Sequence, residues 1–167
     1  MTDYKPVRQV NRRRRVLVIG LDGATFDLIL PWAAGGKLPQ FQHLMQQGTY
    51  GMLGTVVPPL TGPAWTSFLT GKNPGKHGIY DFMRLAPGTY EVQPVNATMR
   101  SGASLWRLLS EAGKRVGVLN VPAIYPPEPV NGVLVTGMRT PPQASNFTYP
   151  PTLSQELREA LGGYNIW

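Results

Sequence analysis

The chain has 167 residues, enough for one compact domain with a real core and too few for a multi-domain machine. With 42% hydrophobic and 15% charged residues it is a folding chain and not a disordered one, and the absence of cysteine excludes a disulfide scaffold, a thiolate zinc site and a cysteine nucleophile. Most of the net charge of +7 sits in residues 1–15, where Lys5, Arg8, Arg12, Arg13, Arg14 and Arg15 face a single Asp3.

Residues 1–15 therefore read as a basic, flexible, solvated leader, followed by an α/β domain over 16–167. The arginines are not interleaved with aromatic residues as a nucleic-acid groove requires, so nucleic acid is not the expected partner. The weaker alternative makes Arg12 to Arg15 an arm for nucleic acid or acidic lipid. From residue 16 the run VLVIG is continuously apolar and closed by glycine, the pattern of a strand buried on both faces of a parallel sheet. Residues 25–34 follow as a short helix with Phe26, Ile29 and Leu30 on one face and Pro31 as a breaker. A second helix over 39–47 puts Phe41, Leu44 and Met45 inward and His43 on its polar side.

Residues 50–57 predict another strand, ending at Pro58-Pro59, and residues 62–70 a helix with Thr61 at its cap and Gly71 at its stop. A loop over 72–86 and a short strand over 89–94 come next. Ser101 or Ser104 caps a helix carrying Leu105, Leu108, Leu109 and Ala112, which Gly113 ends before a strand over 115–121. A Pro-rich connection over 122–131, a strand over 133–136 and a Pro-rich loop over 138–151 precede the last helix. Thr152 with Gln155 makes a capping box for that helix, which bears Leu153, Leu157 and Leu161.

Alternating strands and helices argue for an α/β fold with a largely parallel sheet flanked by helices. No run of eighteen apolar residues and no clean signal peptide occur, so the chain is expected to be cytoplasmic, without a transmembrane segment. Its last residues, Ile166-Trp167, read as a cut rather than a finished end. Oligomeric state is not legible.

In α/β sheets ligands gather at the carboxyl ends of strands, which directs attention to the turns after Gly20, Val57 and Val121, the first two of them informative. Asp22, in Gly20-Leu21-Asp22-Gly23, would repel a bare phosphate but suits a divalent metal that in turn attracts one. The competing reading is a turn-forming Asp-Gly. Thr61, in Leu60-Thr61-Gly62-Pro63, stands where a helix dipole favours anions and an alkoxide, although a threonine there is more commonly an ordinary cap. A metal-binding carboxylate and a hydroxyl nucleophile are together what metal-assisted phosphate ester cleavage requires.

Three segments in this order, VLVIGLDGATFDLI, GKLPQFQHLMQQGTYG and PPLTGPAWTSFLTGKNPGKHGIYDF, resemble the N-terminal part of the type I phosphodiesterases and nucleotide pyrophosphatases of the alkaline phosphatase superfamily. The resemblance implies an alkaline-phosphatase-like three-layer sandwich, of which this would be the N-terminal portion. It implies a metal-dependent phosphate ester hydrolase, with Thr61 as the nucleophile that becomes phosphorylated and Asp22 and Thr61 as ligands of one of two divalent metals, zinc or else manganese. The family's further ligands, an Asp followed by His, an Asp-His pair and a distant His, have no counterpart in residues 86–167, so the chain alone is expected to be nearly inactive. Nucleotide-cleaving relatives often carry an Asn three residues after the nucleophile, where this chain has Ala64; the substrate therefore stays open among diesters, monoesters, phosphonates, sulfates and nucleotides. His77, in Gly75-Lys76-His77-Gly78, reads as ordering its own loop rather than as a ligand. The alternative from another class is a non-catalytic anion-binding or interaction module on the same scaffold.

Overall fold

A computed structural model describes residues 15–162 and residue 164. The expected leader, apart from Arg15, and the apolar end at Ile166-Trp167 lie outside the described residues. The chain divides into two compact units, Met1–Met52 and Leu53–Trp167.

In the first unit, α1 (Phe26–Ala34) begins where Thr25 accepts a hydrogen bond from the N–H of Asp27, and it runs through Pro31 without stopping. Helix α2 (Pro39–Gln47) starts on a proline, whose missing N–H costs nothing in a first turn. The two helices pack together around an apolar groove lined by Phe26, Ile29, Phe41, Met45 and Tyr50. The strand expected over 16–20 is not formed: no ladder is present, and Val16 is 86% and Ile19 73% exposed. The strand expected over 50–57 is likewise absent. The physical reason is that a strand's N–H and C=O groups need a neighbour, and no described residue of either segment is paired in a ladder.

The second unit carries the core. Helix α3 (Thr61–Thr70) ends at Gly71, in the left-handed region at φ 64°, and a single turn of helix, α4 (Pro74–His77), follows from the capping Asn73 to Gly78. The sequence reading placed α4, and the strand after it, inside one long loop. Strands β1 (Met83–Leu85) and β2 (Val92–Pro94) form an antiparallel hairpin. A short 3-10 turn over Ala97–Met99 leads to α5 (Leu105–Glu111), capped by Ser104, whose side chain accepts from the N–H of Arg107.

Strand β3 (Val116–Val121) then pairs in parallel with β4 (Gly132–Thr136), and β4 pairs antiparallel with β5 (Thr148–Tyr149). Leu69, Trp106, Val118, Ile124, Val130 and Leu134 form the core between α3, α5 and the β3–β4 pair. The final α6 (Leu153–Leu161) packs on β5, without the expected capping box: Thr152 has helical angles, and the Gln155 side chain turns instead to Glu159 at 2.7 Å.

The fold is therefore mixed α/β, and the expectation of a largely parallel sheet is overturned: among the described residues β3–β4 is the one parallel pair. The connection over 122–131 joins those two strands without a helix, and the other ladders are antiparallel returns. No helix among the described residues is long and apolar enough to cross a membrane.

Candidate functional site

The sequence reaches α3 through Pro58-Pro59, and a bond from the N–H of Leu60 to the Pro58 carbonyl, 2.9 Å, turns the chain into the helix. Leu60 is the N-cap, with extended angles and no polar side-chain atom to offer. Thr61 is thus the first helical residue and not the cap that the sequence suggested. Helix α3 opens on a hydroxyl beside the positive end of its dipole, an environment that favours an oxyanion. Gly62 follows, facing the Asp81-Phe82 segment: a Cβ there would stand 3.4 Å from the carbonyl oxygen of Asp81 and 3.5 Å from Cδ1 of Phe82, ordinary contact distances.

Helix α3 is held from behind by His77. The imidazole is fully buried; its Nδ1 accepts the N–H of Ile79 at 3.1 Å and its Nε2 lies 2.9 Å from Oγ of Ser67. Because a backbone N–H can only donate, Nδ1 is the bare nitrogen and Nε2 carries the proton. Burial lowers the pKa of His77 from its ordinary 6.5, and the carbonyl of Pro63 acts the other way. Both ring nitrogens already have protein partners, as expected of a loop-ordering histidine.

Asp22 lies in the first unit, exposed, in a turn completed by Gly23 at φ 68°. Thr61 lies in the second unit, half-buried. A carboxylate and a hydroxyl are hard oxygen donors of the kind a divalent cation takes. Among the described residues no group of three or more His, Asp or Glu side chains is arranged to hold a metal ion.

Asp81 and Phe82, which face Gly62, and Arg139, which packs on Phe82, were not singled out from the sequence. Asp81 turns inward on itself, accepting the N–H of Phe82 at 2.6 Å. The guanidinium carbon of Arg139 lies 5.5 Å from the centre of the Phe82 ring. Asp81 and Phe82 end the segment PPLTGPAWTSFLTGKNPGKHGIYDF and were legible in principle; Arg139 is 57 residues from Phe82 and carries no local signal.

Elsewhere in the second unit Arg100 and Trp106 both donate to one oxygen of Glu128, at 2.7 and 2.5 Å. Burial lowers the Arg100 pKa against the opposing pull of Glu128.

The family model for Type I phosphodiesterase / nucleotide pyrophosphatase matches residues 16–162. Comparison with curated proteins and with solved structures finds no match.

Proposed function

We propose that this chain, which belongs to the type I phosphodiesterase / nucleotide pyrophosphatase family and so to a phosphate ester hydrolase kind, acts through a covalent phosphothreonine at Thr61 with the help of divalent metal. The observation that carries the reading is Thr61 at the first position of α3, with the capping place taken by Leu60.

The hydroxyl of Thr61 attacks phosphorus and loses its proton as the Oγ1–P bond forms. The bond from phosphorus to the leaving oxygen breaks, and that oxygen takes up a proton. Water then attacks the phosphothreonine, releasing phosphate or a phosphate monoester and restoring the hydroxyl. The helix dipole favours the anionic form of the threonine oxygen and the negative charge of the phosphoryl group. Asp22 and Thr61 would hold one ion, with further ligands from other residues. Bound metal, zinc or manganese, would lower the barrier by neutralising charge on the reacting oxygens.

The full-length protein as its gene encodes it, supplied with zinc or manganese, is expected to hydrolyse bis-p-nitrophenyl phosphate or the monoester. Thr61→Ala should reduce that rate by several orders of magnitude. Undiminished turnover in Thr61→Ala would remove the mechanism, and tight anion binding without turnover in the wild type would favour a non-catalytic module.

A further inference from the structure

The loop that leaves β4 is fastened to the β1–β2 hairpin through one arginine. Arg139 has φ at 78°, a left-handed angle that is unfavourable for such a residue unless its surroundings hold it. Its guanidinium lies over the Phe82 ring, 5.5 Å from the centre, and Nη2 donates to Sδ of Met83 at 3.1 Å and to the Phe82 carbonyl at 3.5 Å. Arg100 and Arg107 are each seated on a glutamate, whereas these contacts seat Arg139 on a ring, a thioether and a carbonyl, all within the second unit.

That seat is chemically alterable at sulfur. A thioether sulfur carries two lone pairs and is a weak acceptor. In Met83 one pair takes the N–H of Arg139 and the other is left for a reagent, and the residue is 42% exposed, open to a small solute.

We propose that Met83 is a modification site for hydroperoxides, oxidised on the one lone pair that Arg139 leaves open, and that oxidation unseats Arg139 from the hairpin. The open pair attacks one oxygen of hydrogen peroxide, the O–O bond breaks, and the proton on the attacked oxygen passes to the departing hydroxide. The thioether loses two electrons and becomes a sulfoxide, while the peroxide is reduced to water. The new oxygen, a strong acceptor, stands on the side of sulfur away from Nη2. The guanidinium is left facing the electron-poor end of the S=O dipole, so the bond that helped to hold the left-handed loop is lost.

An oxidation confined to one lone pair gives one of the two sulfoxide epimers. The full-length protein is treated with hydrogen peroxide, and the peptide carrying Met83 is digested with the two methionine sulfoxide reductases, each specific for one epimer. One epimer should exceed the other by about fivefold or more in the wild type, because the other route must first give up the bond from Arg139, and the two should approach equality in Arg139→Gln. Trypsin has to engulf the freed guanidinium, so cleavage after Arg139 should quicken by about threefold or more once Met83 is oxidised. Peroxide should leave that cleavage unchanged in Met83→Leu, which keeps an apolar side chain at the position and has no sulfur to oxidise.

Equal epimers in the wild type would overturn the proposal. So would cleavage after Arg139 that is indifferent to complete oxidation of Met83, or a Met83 that stays reduced at peroxide levels that fully convert Met52, which is 80% exposed.

Discussion

Nε2 of His77 lies 2.9 Å from Oγ of Ser67, two turns along the helix that Thr61 opens. That contact fastens α3 to the glycine-rich turn that carries His77. Ser67→Ala removes the acceptor and leaves a buried ring N–H short of a partner, which costs about 1–3 kcal/mol. Urea denaturation should show that loss. A change below about 0.5 kcal/mol would mean that the Pro63 carbonyl or water takes the proton over.

The same histidine makes stability depend on pH. Its folded pKa lies below the 6.5 of the unfolded chain, because burial disfavours the imidazolium. In the window below that value the unfolded chain binds the extra proton. The neutral imidazole's contribution is therefore complete well above pH 6.5 and is lost as pH falls through it. Thermal unfolding from about pH 8 to about pH 5 should show a falling Tm in the wild type and a flatter profile in His77→Gln. Parallel profiles would contradict the assignment.

Glu128 neutralises Arg100, whose side chain is 8% exposed and whose Nε and Nη1 have no hydrogen-bond partner among the described residues. Glu128→Gln strands that charge and should cost about 3 kcal/mol by denaturant titration. A loss under about 0.5 kcal/mol would place the pair with ordinary surface ion pairs.

Gly137 allows β4 to leave the sheet against β3: a Cβ there would fall 2.4 Å from the carbonyl carbon of Asn120. Gly137→Ala must push the two backbones apart at the bulge between Leu119 and Val121. We expect a loss of about 3 kcal/mol or more, or failure to fold, measured by circular dichroism and urea.

For the proposed chemistry, Thr61→Ser keeps a hydroxyl and should retain measurable turnover where Thr61→Ala does not. A chelator should abolish activity, and added zinc or manganese should restore it. A phosphorylated peptide containing residue 61 should be trapped by acid quench in the wild type and be missing from Thr61→Ala.

Local signals were legible. Pro39 at a helix start, Gly71 at a helix stop and Ser104 at a cap are readable because each acts within one turn of its own position. The turn Asn73-Pro74 carried the same signals but was missed, being only four residues of helix. Thr152-Gln155 carried the pattern of a capping box and did not form one, since Gln155 found a better partner four residues on. Thr61 and Asp22 were legible as chemical types in suggestive turns, and Arg139 was not legible at all.

Sequence alone determined the helices of both units other than α4, the existence of the strand expected over 115–121 and found over 116–121, and the family, because periodicity, capping residues and ordered motifs are written along the chain. Only the tertiary structure decided which apolar runs become strands. Val16 to Ile19 had the composition of a buried strand and stands exposed, whereas Thr148-Tyr149 became one beside β4. A ladder is made between segments, and the same distance in sequence that hides a strand's neighbour also hid the packing of the Arg139 guanidinium on the ring of Phe82.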